Sequence, residues 1–127
     1  MLGMPRAVFA RHKAPAAAYA QCAKACSSCA EACRACAKHC AAMVKGGMKE
    51  HDLSRRLSED SADICALAAK ICMRRGPTTA EICDACAKSC DACGAECDKY
   101  PKMKIMKDCA ASCAACAKAC RDLVKQL

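Results

Sequence analysis

From Cys22 to Cys40 a cysteine returns every three or four residues, at positions 22, 26, 29, 33, 36 and 40. The intervals 4-3-4-3-4 are those of a heptad helix seam, with thiols where leucines usually stand. The pattern recurs at Cys83, Cys86, Cys90, Cys93 and Cys97, and again at Cys109, Cys113, Cys116 and Cys120. Cys65 and Cys72, seven residues apart, complete a set of 17. Seven Cys-x-x-x-Cys pairs can be drawn: 22/26, 29/33, 36/40, 86/90, 93/97, 109/113 and 116/120. Residues four apart on a helix face the same way, with Cβ atoms roughly 5–6 Å apart. Taking the zinc–thiolate bond length of roughly 2.3 Å, a linear S–metal–S unit spans roughly 4.6 Å. A single helix could therefore hold a two-coordinate soft ion, and Cu(I) is the ion that thiolate and thioether ligands select. Zinc wants a tetrahedron of four ligands, which requires helices to cooperate at every site. Cys65, Cys72 and Cys83 remain to bridge or complete sites. At 1.5 Å per residue the stripe from Cys22 to Cys40 is roughly 27 Å long, the extent of a store rather than a single site.

Four helical segments must carry these stripes. The first is expected from about Ala14 to Lys45, stopping at Gly46-Gly47. The second starts near His51 or Asp52, with Asp52 a candidate N-cap, and ends at Arg74-Arg75-Gly76. Pro77 breaks the chain, and Thr78 with Glu81 forms a capping-box pattern for the third. That helix is expected to end at Lys99-Tyr100, and Pro101 suits the first turn of the fourth, which runs to Leu127. Short loops make consecutive helices antiparallel neighbours. The expected fold is all-α: an up-down-up-down antiparallel four-helix bundle over residues 14–127, with a basic N-terminal extension over 1–13. The second helix differs from the others. Its stripe at sevens reads His51, Ser58, Cys65, Cys72, and Leu53, Leu57, Ile64, Leu67 and Ile71 form an adjoining apolar face. That face could pack within the bundle or against another subunit, and a closed homo-oligomer, dimer or tetramer, is expected.

Leu, Ile, Val and Phe supply only 14 of 127 residues, so the core is not aliphatic. The 30 alanines favour helix, and cysteine buries as a small hydrophobe. Such a core buries little area, and metal bound only by the folded state would add much of the stability. An extracellular disulfide scaffold is disfavoured. The cysteine number is odd, the spacing is helical, and residues four apart sit near the far limit for a disulfide. Reduced thiols fit the cytosol, or a metal-filled site elsewhere. The first 13 residues lack an apolar core, so no secretory signal is visible; a processed periplasmic form would look the same. No run reaches transmembrane length. Lysine and arginine alternate with acidic residues, and aromatics are almost absent, which argues against nucleic-acid binding. The net charge of +8 could offset the anionic charge of filled two-thiolate Cu(I) sites.

The two ends of the bundle differ. The stripe of the first helix continues from Cys40 to Met43, and that of the fourth runs back from Cys109 to Met106. Met48, His39, His51 and Met103 lie nearby. His51 shares the register of Cys65, whereas His39 sits beside its seam, where spacing alone makes it a surface histidine. Tyr19, Leu123 and Leu127 fall on the stripes at the opposite end, with Met73 and Val124 close by. The first end reads as a polar, thioether-lined mouth and the second as an apolar plug. His12 has no evident role.

The helical Cys-x-x-x-Cys pattern over Gln21 to Val124 resembles the bacterial copper storage proteins. The run His39-Cys40-Ala41-Ala42-Met43, with Met48 beyond, is similar to the mouth segment of the exported branch. The cysteine count and missing signal look more like the cytosolic branch. The resemblance implies a four-helix bundle binding many Cu(I) ions inside, largely through Cys-x-x-x-Cys pairs, with His and Met at the open end. The candidate ligands are then all 17 cysteines with His39, Met43, Met48, His51 and Met106. Copper ions, and a chaperone or recipient protein, are the expected partners. A zinc or cadmium thiolate store of metallothionein type is the alternative in the same class. Thiol–disulfide redox chemistry is a third, but a dithiol enzyme needs one activated, exposed cysteine at a helix N-terminus. These thiols are numerous and mid-helix, so no enzyme is expected. Iron–sulfur ligands normally sit on loops that wrap the cluster.

Overall fold

The computed structural model describes residues 14–127, and the basic extension with His12 lies outside them. Four helices follow in order: α1 (Ala16–Lys45), α2 (Asp52–Met73), α3 (Thr79–Cys97) and α4 (Lys104–Val124), with a 3-10 turn at Lys49–His51. Among the described residues there is no strand. Adjacent pairs α1–α2, α2–α3, α3–α4 and α4–α1 pack together, and the diagonal pairs keep their backbones apart. This is the up-down-up-down bundle that the loop lengths require.

Each helix turns one stripe inward. On α1 it is Tyr19, Cys22, Cys26, Cys29, Cys33, Cys36 and Cys40, and all are buried. A second line of small residues runs beside the thiols: Ala23, Ala30 and Ala37 on α1, Ala62 and Ala69 on α2, Ala87 and Gly94 on α3, Ala110 and Ala117 on α4. These sevenfold-spaced positions let neighbouring helices approach closely. At Gly94 an added Cβ would sit 3.4 Å from the Cys113 Cβ. Close approach is what brings short cysteine side chains into mutual contact across the axis.

Helix ends depart from the expected boundaries for local reasons. Asp52 is the first residue of α2 rather than its cap; His51 occupies the cap position, and no side chain caps the backbone there. The 3-10 turn that delivers His51 closes with its N–H on the Met48 carbonyl at 3.2 Å. Thr78 precedes α3 but its side chain makes no capping hydrogen bond, so the threonine half of the expected Thr78/Glu81 box is missing. Instead the Thr79 hydroxyl donates to the Gly76 carbonyl at 2.6 Å. Helix α3 stops at Cys97, and Pro101 lies in the loop before α4. Proline disfavours a helical residue before it, and a turn from Tyr100 to Met103, closed at 3.1 Å, places Pro101 at its second position. Helix α4 ends at Val124. Gly47 takes φ +102° beyond α1, a backbone region open mainly to glycine.

Candidate metal centre

All 17 cysteines are buried free thiols, and all lie on the inward stripes. The stripes bring them into a continuous column. Three groups of four and two of three have sulfurs within 4.8 Å of one another. From the closed end these are Cys22/Cys83/Cys120, then Cys26/Cys86/Cys116/Cys120, Cys29/Cys65/Cys90/Cys116, Cys33/Cys93/Cys109/Cys113 and Cys36/Cys97/Cys109. Cys72 joins the first through Cys83, at 3.5 Å. Cys109, Cys116 and Cys120 each belong to two groups, so the groups fuse into two runs, which meet where Cys29 lies 3.8 Å from Cys33.

The single-helix pairs and the cross-helix contacts coexist. Within α1 the sulfurs of 22/26, 29/33 and 36/40 are 4.0, 3.8 and 4.0 Å apart. Contacts between helices are equally short: Cys33–Cys113 and Cys26–Cys120 at 3.7 Å, and Cys65–Cys90 at 3.5 Å. Even the diagonal helices α1 and α3 meet through sulfur, Cys22 reaching Cys83 at 3.9 Å. A soft ion placed anywhere along the axis therefore has thiols from two or more helices in reach. Sequence spacing supplies the pairs within one helix; the interhelical sharing comes from the small-residue seams.

Protons organise the thiol column. S–H groups of Cys109 and then Cys97 hydrogen-bond to Cys36 and hold it down at about 3. Burial, and then the charge of Cys36, pushes neighbouring Cys40 up to about 12. Cys113 keeps its proton because it donates, first to Cys109. Loading with metal must displace such protons, since the thiolate is the ligand.

The mouth residues separate. Met106 is fully buried, with its sulfur 3.5 Å from Cys40 and 3.6 Å from Cys36. Met43 is half-buried and Met48 is 37% exposed. His51 is fully buried, and neither of its ring nitrogens has a hydrogen-bond partner. Its ring packs on Tyr100 at a centroid distance of 4.2 Å and lies edge-on to His39 at 6.5 Å. His39 is half-buried, with its Nε2 buried and unpartnered, so it is not the surface histidine that its spacing suggests. The Tyr100 hydroxyl donates to the Glu50 carbonyl at 3.1 Å, tying the α3–α4 loop to the α1–α2 loop over the mouth. Spacing gave no sign of this tie, because Tyr100 lies outside the helices. At the far end Tyr19 and Leu123 are buried and Leu127 half-buried, but Met73 is 69% exposed and takes no part in the plug.

The α2 stripe carries His51, Ser54, Ser58, Ser61, Cys65, Ala68 and Cys72, every one of them with no exposed surface. Ser54 and Ser61 belong to the inward stripe as fully as Ser58, which the reading at sevens alone did not reveal.

The profile of the copper storage protein family matches residues 15–125. No curated protein sequence matches the chain. Solved structures do. A histidine-to-alanine double variant of Ccsp from Streptomyces lividans shares 32% identity over 91% of this chain and 99% of that one, with a TM-score of 0.79. A cytosolic copper storage protein from Streptomyces lividans carrying five coppers shares 32% over 88% of this chain and 96% of that one, with a TM-score of 0.75. The apo copper storage protein 3 of Bacillus subtilis shares 38% over 82% and 96%, with a TM-score of 0.70. With a thiol-filled bundle, a profile spanning all four helices and relatives matched over most of their length, the chain belongs to the copper storage protein family.

Proposed function

We propose that this protein sequesters several Cu(I) ions per chain in its thiol column, releasing them through the Met106 end, and that it performs no catalysis. The fused thiol groups carry this reading. A Cu(I) ion needs only two or three soft ligands, so a shared sulfur can serve two ions and the column can fill without interruption. Four-thiol groups also satisfy the ligand count of zinc, but two of the three such groups would compete for Cys116. The copper-bearing relatives support the same choice. Residues 14–127 form the storage domain in this proposal, with residues 1–13 as an extension. All 17 cysteines and Met106 are assigned as ligands, and His39, Met43, Met48 and His51 as the outer relay.

The cytosol is the proposed compartment: the thiols are free, and one relative is described as cytosolic. No described helix is long and apolar enough to cross a membrane. Leu53 and Leu67 on α2 are 48% and 45% exposed, and they support self-association of the chain. A copper chaperone or recipient protein would meet the Met106 end.

Anaerobic titration of the reduced protein with Cu(I) and Zn(II), with metal measured after gel filtration, tests the assignment. We expect at least about seven Cu(I) retained, one or more for each Cys-x-x-x-Cys pair. Retention of one or two ions, or preference for zinc over copper, would overturn it.

A further inference from the structure

We propose that Ser54, Ser58 and Ser61 divide the copper store into two compartments, a retentive one around Cys65 and Cys72 and an exchangeable one beside the mouth. The inference rests on the copper-storage reading and concerns how firmly different ions are held. Helices α1 and α3 present thiols along the whole column, and α4 presents thiols capped by Met106. Only α2 changes character halfway. Its closed-end half contributes Cys65, 3.5 Å from Cys90 and 3.6 Å from Cys86, and Cys72, 3.5 Å from Cys83. Its mouth half contributes hydroxyls at the same stripe positions, each fully buried.

A hydroxyl oxygen is a hard, neutral donor and a poor Cu(I) ligand. Ions on the mouth side therefore depend on thiolates from three helices rather than four. Beyond that deficit, Ser58 Oγ lies 3.5 Å from Cys93 Sγ. Once Cys93 is a thiolate bound to copper, it has no proton to give, so the hydroxyl must be the donor. Hydrogen bonding draws charge from the sulfur and weakens its bond to the metal. Ser61 is locked to α3 by the Ser89 hydroxyl at 2.7 Å and carbonyl at 3.2 Å, which holds the hydroxyl face in place. Ser54 Oγ is buried without a partner, a destabilising arrangement that alanine would avoid, and alanine is what this stripe uses at position 68. The polar half adjoins the end where Met106, the unpartnered His51 ring and the buried, unpartnered Nε2 of His39 sit. Weak holding and the proposed exit therefore coincide.

The test loads the full-length protein anaerobically with Cu(I), then follows removal by excess of a Cu(I) chelator through the ultraviolet thiolate-to-copper charge-transfer band. Wild-type protein should release copper in two phases. Ser58→Ala should slow the fast phase about fivefold, the worth of one hydrogen bond. It should also move the charge-transfer band to longer wavelength, because the sulfur lone pair is no longer stabilised. Neither change follows from a merely structural role. Ser58→Cys, and the triple change of Ser54, Ser58 and Ser61 to cysteine, should shrink the fast phase and raise the copper capacity. The single variant guards against misfolding of the triple one. Release in one phase from a fully loaded wild type overturns the division, as does a fast phase that none of these variants alters. A wild type that retains no copper fails the storage reading instead.

Discussion

The thioether of Met106 lies 3.5 Å from the Cys40 thiol and has no exposed surface. It reaches from the first turn of α4 to the outermost thiol of α1, so a neutral soft sulfur closes the column at the proposed exit. A thioether binds Cu(I) without adding charge, and it holds the ion less firmly than two thiolates do. Met106→Leu preserves volume and removes the sulfur. The expected result is a copper capacity lowered by no more than one ion, with loading from a chelated donor slowed severalfold. Stopped-flow absorbance with the donor complex measures both. Unchanged loading would assign Met106 to packing alone.

The apolar face of α2 leads to a second expectation. Ile71 is buried and Leu57 and Ile64 half-buried, but Leu53, Leu67 and Met73 project into solvent. An oligomer would cover them. Light scattering at micromolar concentration should give a mass of two or four chains. Leu53→Lys with Leu67→Lys should reduce it to one while helicity is retained. A wild-type protein that scatters as a monomer would refute the assembly.

Much of this arrangement was legible in residue spacing. Cys22 to Cys40 announced the helix, its inward face and a soft-metal ligand set at once, because one residue type marked every core position. Gly46-Gly47 and Pro77 located two of the loops. What spacing could not supply was contact between helices. The 3.7 Å approach of Cys33 to Cys113 depends on seams such as Gly94 against Cys113, and those alanines and glycines look unremarkable in a sequence with 30 alanines. Tyr100 was hidden for another reason. Its tie to Glu50 joins residues 50 apart in the chain, both outside the periodic segments. Ser54 and Ser61 escaped because a polar residue carries no burial signal until the thiols around it define an axis.

The protonation of the thiol column sets a pH response in the apo protein. Cys40 is pushed from 9.0 up to about 12 by burial and then by Cys36. Cys72 also keeps its proton, through hydrogen bonds first with Cys22 and then with Cys83. Below pH 9 these thiols are protonated whether the chain is folded or not, and their contribution is fully present. Between pH 9 and 12 the unfolded chain ionises while the fold retains protons, so stability falls as pH rises. Cys36 runs the other way. Its contribution is complete above pH 9 and is lost as pH falls towards about 3, so it does not oppose the alkaline decline. Urea denaturation of the reduced apo protein should therefore show a midpoint that drops between pH 8 and pH 11. Copper-loaded protein, with its thiols already deprotonated, should show little of this drop. A midpoint constant over that range would contradict the buried-thiol assignment.

The closed end offers the complementary test. Leu123 is 1% exposed and Tyr19 2% exposed, and both fall on stripes whose next inward residues are Cys120 and Cys22. In a core built largely of alanine and cysteine, these are among the few large apolar groups. Leu123→Ala removes apolar contact that small neighbours cannot replace by collapsing. The cost should lie near 3 kcal/mol, within the range for buried leucine. Copper binding only to the fold would recover part of it. The measurement is urea denaturation of apo and loaded forms, paired with the copper release rate. Lower apo stability with release at the wild-type rate is the expected outcome. Faster release from a variant that remains folded would show that copper leaves past Leu123, and would reverse the direction assigned to the bundle.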